Sequence, residues 1–194
     1  MPRKPISKLS RQSDGKTGDP LALIIKALAF SANKHRDQRR KDTPASPYIN
    51  HPIDLANVLR NEGGIRDGVV ICAALLHDTI EDTQTSPEEL QREFGKRVCA
   101  IVLEMTDDKR LPKNERKRLQ IEQAPGLSRR AKLVKLADKI CNLRDVAYSP
   151  PERWDLQRRQ QYFDWARQVV DGLRGVHARL ERAFDEVFLL RPRQ

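Results

Sequence analysis

Apolar residues recur every three to four positions along most of this 194-residue chain, which is the spacing of one face of an α-helix. The first such segment follows Asp19-Pro20, a pair typical of a helix start, and should end near the RDQRRKD loop. No long stretch alternates apolar and polar residues as a half-buried strand would. The pattern therefore predicts an all-α fold.

Helix start and stop signals divide the rest of the chain into further segments. Pro52 should begin the second helix, and Gly63-Gly64 should end it. The Ser86-Pro87-Glu88-Glu89 sequence has the form of a capping box, and Gly95 should close that short helix. We predict a bundle of eight to nine helices, the remaining ones at residues 66–78, 96–105, 114–123, 128–146, 151–173 and 177–189.

The cysteines and the hydropathy of the chain are typical of a protein from a reducing compartment without a membrane-spanning segment. The three cysteines, Cys72, Cys99 and Cys141, lie in apolar helical segments without a C-x-x-C spacing, so we interpret them as small core residues. No apolar segment is long enough to span a bilayer. We therefore expect a cytoplasmic protein that makes no contact with a membrane.

The net charge of +10 is unevenly distributed. Residues 1–18 contain five Lys or Arg residues and one Asp, with no apolar periodicity. We predict a disordered basic arm at 1–18 and a single folded domain at 19–194, with a mitochondrial transit peptide as the weaker alternative for the arm. The other basic clusters, RDQRRK and DDKRLPKNERKRLQ, suit a small polyphosphorylated ligand as well as a nucleic-acid backbone. Of these two partners we expect the small ligand.

The sequence ALLHDTIEDT contains the most informative cluster of polar residues. His77, Asp78, Glu81 and Asp82 follow directly on an apolar run at residues 69–76. Ionised carboxylates are costly to bury without a cation or hydrogen-bond donors. The cluster therefore indicates a divalent metal at the end of a buried helix.

His51 and Asp138 are the candidates that would complete a metal site with His77 and Asp78. Two imidazoles and two carboxylates, without a thiolate, suit manganese, iron or zinc in an open catalytic site. Asp138 by itself would be interpreted as a solvated helix charge. Asn142 lies one turn away on the same helix face, and together with the His77-Asp78 pair this spacing favours a metal ligand beside a substrate contact.

Glu81 and Asp82 are candidates for handling the proton of a metal-bound water. The alternative is that they cap the next helix or remain solvated.

Two further groups of residues are candidates for substrate binding. Arg40 and Lys41 precede His51 in a proline-rich loop, where they could meet a base and phosphates or form a solvated charge run. Trp154, Arg158 and Tyr162 follow one another at intervals of four, so they form either a core edge or the wall of a nucleotide pocket. The spacing by itself favours a core edge.

The remaining two histidines are predicted to lie on the surface. His35 has Lys and Arg neighbours, and His177 lies in a polar helical segment.

Five segments occur in the order HRDQRRKD, PYINHP, AALLHDTIEDT, EMTDDKRLPKNERKRLQIEQAP and AKLVKLADKICNLRD. Together they resemble the HD-domain metal phosphohydrolases. The likeness is strongest to the hydrolase domain of RelA/SpoT homologues, and in particular to the metazoan-type small alarmone hydrolases. It extends from about residue 24 to residue 188.

The resemblance implies a single HD-domain helical bundle. It also implies a manganese-dependent 3′-pyrophosphohydrolase of the stringent response that converts (p)ppGpp to GDP or GTP and pyrophosphate, with zinc or iron as possible metals. The family's site residues correspond here to metal ligands His51, His77, Asp78 and Asp138, to catalytic Glu81 and Asp82, and to substrate-binding Arg40, Lys41, Asn142, Arg158 and Tyr162.

The chain departs from the long family members in two respects. The loop between Lys41 and His51 is longer than in those proteins and lacks their glycine. The chain also ends where they continue into a synthetase domain, so we expect a stand-alone hydrolase without synthetase activity.

Three other functions remain as alternatives. The first is a phosphatase that removes the 2′-phosphate of NADPH with the same metal site. The second is an inactive nucleotide-binding module that keeps its metal, and the third is a helical nucleic-acid-binding protein.

Overall fold

The computed structural model describes residues 19–193, so the predicted basic arm at 1–18 lies outside the described residues. Within 19–193 the regular elements are helical, and the prediction of an all-α bundle is confirmed. The nine α-helices of this range are α1 Pro20–Lys34, α2 Asn50–Asn57, α3 Gly68–Leu76, α4 Thr79–Asp82, α5 Pro87–Met105, α6 Lys113–Gln123, α7 Arg129–Tyr148, α8 Leu156–Asp171 and α9 Ala178–Phe188.

Helix α3 runs through the centre of the bundle. Its residues from Val70 to Leu76 are all buried, because the helix contacts α1, α2, α5 and α7 on different sides. A helix that is apolar around its whole circumference has no face to present to water, which explains this position. The helix ends at Leu76, and His77 follows it while still buried.

Helix α7 brings polar side chains into the same core. Most of its residues between Ala131 and Leu143 are buried, including Lys135, Asp138 and Lys139. It contacts α2 and α3 on one side and α8 and α9 on another. The candidate site therefore forms where α2, the end of α3 and the middle of α7 meet.

Several helix boundaries differ from those predicted. Helix α2 begins at Asn50, so His51 lies in its first turn, ahead of Pro52. Helix α8 begins only at Leu156, where the Asp155 side chain accepts a hydrogen bond from the Arg158 N–H. Pro151 was expected to start it, but the chain at Pro150 and Pro151 is not helical and a turn follows before α8.

The capping box and the break that follows it are both present. The Ser86 hydroxyl accepts a hydrogen bond from the Glu89 N–H at 3.2 Å. The two helices predicted on either side of Gly95 meet there in one kinked element, α5, because Gly95 adopts a φ of 81°. None of the described helices is both long and apolar enough to cross a membrane.

Candidate active site

Three of the four predicted metal ligands lie together between α2, α3 and α7. Atoms of His51, His77 and Asp138 that could bind a metal are all within 4.8 Å of one another. The Asp138 Oδ1 atom is 3.3 Å from His51 Nε2 and 4.0 Å from His77 Nε2. All three residues are buried. Two imidazole nitrogens and a carboxylate oxygen form a donor set that suits a divalent transition metal.

The orientation of His77 supports a cation site. Its Nδ1 atom donates a hydrogen bond to the Ala74 carbonyl at 2.8 Å, which leaves the other ring nitrogen, Nε2, to face the site. Nε2 lies 2.9 Å from Asp78 Oδ2 but forms no well-aligned hydrogen bond. An imidazole nitrogen and a carboxylate oxygen at this distance need a positive charge on or between them, and either a proton on the ring or a bound cation supplies it. The residues present therefore fit a metal ion.

The charges of the site favour the same conclusion. Burial by itself would lower the pKa of His77, but Asp78 and Asp138 raise it to about 9. Burial would likewise raise the pKa of Asp138, but Lys139 and the two histidines hold it well below its usual range. A proton on His77 thus offsets the carboxylates in the way that a metal ion would.

Asp78, the fourth predicted ligand, lies beside this group. Its Oδ2 atom accepts a hydrogen bond from the Tyr48 hydroxyl in addition to facing His77. Burial opposes ionisation, but the two histidines keep the pKa of Asp78 below its usual range.

Glu81 and Asp82 lie on α4, a single helical turn that was not predicted. Glu81 Oε2 accepts a hydrogen bond from the Asp107 N–H at 3.0 Å, and burial raises the pKa of its carboxyl group. Asp82 Oδ2 accepts a hydrogen bond from Gln38 Nε2 at 3.2 Å, and its other oxygen contacts Lys109. Both carboxyl groups face the cavity next to the histidines rather than capping α5.

A cavity of about 640 Å³ opens beside the metal-ligand candidates. Four of the predicted substrate-binding residues line it: Arg40, Lys41, Asn142 and Tyr162. The fifth, Arg158, lines an adjoining cavity of about 260 Å³ and places its guanidinium 4.7 Å from the centre of the Trp154 ring. Trp154 and Tyr162 pack against the core and also line the cavity. They therefore form both a core edge and a wall of the pocket, the two interpretations that their spacing allowed.

The chain matches a known protein family over most of its length. The family model described as "HD domain" matches residues 27–163. The chain belongs to the HD domain family. This HD-domain chain is 57% identical over 168 residues to a guanosine-3′,5′-bis(diphosphate) 3′-pyrophosphohydrolase of Xenopus tropicalis, with 87% of this chain and 94% of the relative covered. It is 56% identical over 171 residues to the protein of the same name from Homo sapiens, with 88% and 96% covered.

A solved structure is also similar to the HD-domain chain. It is described as a metazoan ortholog of SpoT that hydrolyzes ppGpp and plays a role in starvation responses. The two share a TM-score of 0.85 and 52% sequence identity, with 88% of this chain and 96% of that chain covered. The predicted likeness to hydrolases of RelA/SpoT homologues is confirmed.

Several lysines of the HD-domain cavity were missed by the sequence analysis. Lys113 and Lys117 lie one turn apart on α6, and Lys135 and Lys139 lie one turn apart on α7. Burial and neighbouring cations lower the pKa of both Lys113 and Lys117. Within residues 19–193, neither of these two pairs with a carboxylate. The basic run that contains them indicated a phosphate ligand, but local spacing did not show which members face inward.

The loop before α2 positions Arg40. It closes through hydrogen bonds from the Arg40 N–H to the Ser46 carbonyl, 2.8 Å, and from the Tyr48 N–H to the Gln38 carbonyl, 3.1 Å. Ala45 has a φ of 48°, a conformation that glycine adopts more readily. The Arg40 guanidinium pairs with Asp145, which lies on the same face of α7 as Asp138.

The prediction that His35 lies on the surface is wrong. Its side chain is only 2% exposed, and its ring packs against that of Tyr48. His177, by contrast, is partly exposed and caps α9 by accepting a hydrogen bond from the Leu180 N–H at 3.3 Å.

Proposed function

We propose that this protein hydrolyses the 3′-pyrophosphate of (p)ppGpp, giving GDP or GTP and pyrophosphate. The observation that supports this most directly is the position of the buried group His51, His77 and Asp138 at one side of a cavity whose other walls carry several lysines. Close relatives with the name of this activity, 57% and 56% identical, add independent support.

The metal-ligand roles are part of the proposal. His51, His77, Asp78 and Asp138 would hold one divalent metal, for which we propose Mn²⁺, although the donor set also suits iron or zinc. Such an ion supplies a Lewis acid for a phosphoryl oxygen and lowers the pKa of water that it binds. The Ala74 carbonyl fixes the ring of His77, as partners of metal-binding histidines commonly do.

We assign proton transfer to Glu81 and the orientation of the attacking water to Asp82. The raised pKa of Glu81 brings its carboxyl group closer to the pH at which a general base works well. The Asp107 N–H fixes one Glu81 oxygen, and the other lies 3.8 Å from Arg116 Nη1. One Asp82 oxygen contacts Gln38 and the other contacts Lys109.

Arg40, Lys41, Asn142, Arg158 and Tyr162 would bind the nucleotide. The pairing of Arg40 with Asp145 occupies an edge of the guanidinium and leaves its planar face for stacking on a base. The lysines of α6 would neutralise phosphates at the other end of the ligand, since a flexible ammonium acts as a point charge.

We also propose that residues 19–194 form the HD-type metal-dependent phosphohydrolase domain, that the protein is cytoplasmic, and that it has no nucleic-acid partner. The three buried free cysteines support a reducing compartment.

Product analysis tests the proposed function. Metal-stripped protein would be incubated with ppGpp and, separately, with NADPH, each with and without Mn²⁺. Manganese-dependent release of pyrophosphate and GDP is the expected result. Faster release of phosphate from NADPH would favour the 2′-phosphatase, and no product from either would contradict both activities.

A further inference from the structure

A chain of side-chain contacts runs from the end of α1 to Asp82. The ring of His35, which follows the last residue of α1, is 2% exposed. Its Nδ1 atom lies 2.6 Å from Gln38 Oε1. The amide nitrogen of the same glutamine lies 3.2 Å from Asp82 Oδ2. A buried imidazole is thereby linked through one amide to a carboxylate in the active-site cavity.

The direction of these hydrogen bonds follows from the chemistry of the groups. An ionised carboxylate can only accept, so Gln38 must present its NH₂ group to Asp82. Its carbonyl oxygen then faces His35 and must accept, so His35 Nδ1 carries the proton. The other ring nitrogen, Nε2, has no hydrogen-bond partner among the described residues. The position of the His35 proton is therefore fixed by its contact with Gln38.

The same imidazole also supports a second carboxylate. Its ring centre lies 4.8 Å from that of Tyr48, with 34° between the ring planes. The Tyr48 hydroxyl donates a hydrogen bond to Asp78. His35 thus lies behind both Asp78 and Asp82 without touching either of them.

Asp82 needs such a restraint because a competing cation contacts it from the solvent side. Lys109 contacts Asp82 Oδ1, and the Lys109 side chain is 50% exposed, against 21% for Asp82. A partly exposed ion pair contributes little stability and leaves the lysine mobile. Without Gln38 the carboxylate could turn toward Lys109 and away from the cavity.

We propose that Gln38 is a positioning residue that holds Asp82 in its working orientation, and that His35 in turn fixes the Gln38 amide. The proposal rests on the proposed function for its kinetic part. Its structural part, the proton on His35 Nδ1, can be measured whatever the substrate.

The kinetic test uses Gln38→Met, which keeps the length of the side chain but removes the amide. Residues that orient catalytic groups typically affect activity by about 10- to 100-fold when changed, and we expect kcat for ppGpp to fall within that range. KM and Mn²⁺ affinity should change by less than about twofold, because Gln38 touches no proposed metal ligand. The matched control is Gln168→Met on the exposed face of α8, which should retain full activity.

Two further variants separate positioning from a general loss of structure. Gln38→Glu places two carboxylates against each other and should lower kcat at least as much as Gln38→Met. In an Asp82→Asn background, Gln38→Met should have little additional effect, because the group that it orients has already been changed. An equal loss in both backgrounds, or unchanged kcat in Gln38→Met, would overturn the proposal.

The structural test uses nitrogen-15 NMR of the metal-stripped protein to identify the protonated nitrogen of His35. We expect the Nδ1–H form in the wild type and in Gln168→Met, and a substantial Nε2–H population in Gln38→Met. An Nε2–H form in the wild type would refute the proposed chain of hydrogen bonds. Inactivity of the wild type on ppGpp, with the NMR result as expected, would instead refute the proposed function and leave the structural link standing.

Discussion

The Tyr48 hydroxyl donates a hydrogen bond to the Asp78 carboxylate, and so joins the loop after α1 to the end of α3. Burial and the Asp78 charge raise the pKa of Tyr48, so the hydroxyl keeps the proton that it donates. The bond fixes one oxygen of a proposed metal ligand. Tyr48 therefore supports the proposed metal site, although its place in the sequence marked it only as part of a proline-rich loop.

Tyr48→Phe should weaken metal binding while leaving the fold intact. The substitution removes one hydroxyl but keeps the ring that packs against His35 and His51. Loss of a partner that orients a metal ligand typically lowers affinity by about 10- to 100-fold, and we expect a decrease of that size in a calorimetric Mn²⁺ titration. Tyr148→Phe, at a tyrosine that is 73% exposed, is the control. Equal affinities for the two variants would show that the bond has no role in metal binding.

Glu81→Gln should separate metal binding from catalysis. Glutamine can still accept the hydrogen bond from the Asp107 N–H, but its amide cannot act as a base near neutral pH. We expect an unchanged metal content and a decrease in kcat of about 10²- to 10⁴-fold, the usual contribution of general acid–base catalysis. Elemental analysis and steady-state kinetics would be compared with those of Glu186→Gln, an exposed substitution on α9. A variant that kept its kcat would remove Glu81 from the mechanism.

Lys135→Met should make the folded protein more stable near neutral pH. The Lys135 ammonium is buried, and its one hydrogen bond within residues 19–193 is a 3.4 Å contact with the Met105 carbonyl. Burial and then Lys139 lower its pKa below 10.5, so the charged form is less favourable in the folded state than in the unfolded state. Replacing such a group by an apolar one of similar length should add about 1 kcal/mol or more to the free energy of unfolding.

The gain from Lys135→Met should depend on pH in a defined direction. At neutral pH the lysine is charged in the unfolded chain, and the folded state bears the full penalty. This penalty disappears as the pH rises through the folded pKa and then past 10.5, the value for the unfolded chain. Urea unfolding at increasing pH would therefore show the two proteins converging. Lys96→Met, on the exposed part of α5, should show no such trend, and a constant difference for Lys135→Met would contradict the argument.

Arg144→Met should destabilise the protein slightly, and only above acidic pH. Arg144 on α7 binds both oxygens of Glu62, at 2.6 and 2.8 Å, in the π-helical segment Val58–Glu62 after α2. This contact lowers the pKa of Glu62 below 4.5, so its stabilisation is complete above that pH and is lost as the pH falls through the folded pKa. Because the pair is partly exposed, we expect a decrease of less than about 1 kcal/mol at pH 7. Unfolding midpoints that still differed equally in acid would disprove this origin.

The sequence patterns predicted the helices well because their signals are local. Apolar spacing, the Ser86 cap and the Gly95 break each act within a few residues, and the structure contains all three features. The apolar run before His77 likewise predicted a buried helix that ends at a polar cluster. The predicted start of α8 was wrong. Two consecutive prolines precede the helix, and the apolar spacing after them did not show that the helix begins only at Leu156.

The site was less predictable where distant segments decide the outcome. His35 has charged neighbours in sequence, yet packing against Tyr48 and Gln38 buries it. The pairing of Arg40 with Asp145 joins residues 105 positions apart, and no local pattern indicates it. The inward orientation of Lys113 depends in the same way on how α6 packs beside α8.

The proposed metal ligands His51, His77 and Asp138 come from three helices that are well separated along the chain. A nascent chain that has left the ribosome as far as Leu136 carries both histidines but lacks the carboxylate that faces them. On the proposed ligand assignment, the metal site is therefore incomplete until Asp138 has been synthesised. The proposed site thus depends on α7 folding back onto the segments that carry the two histidines.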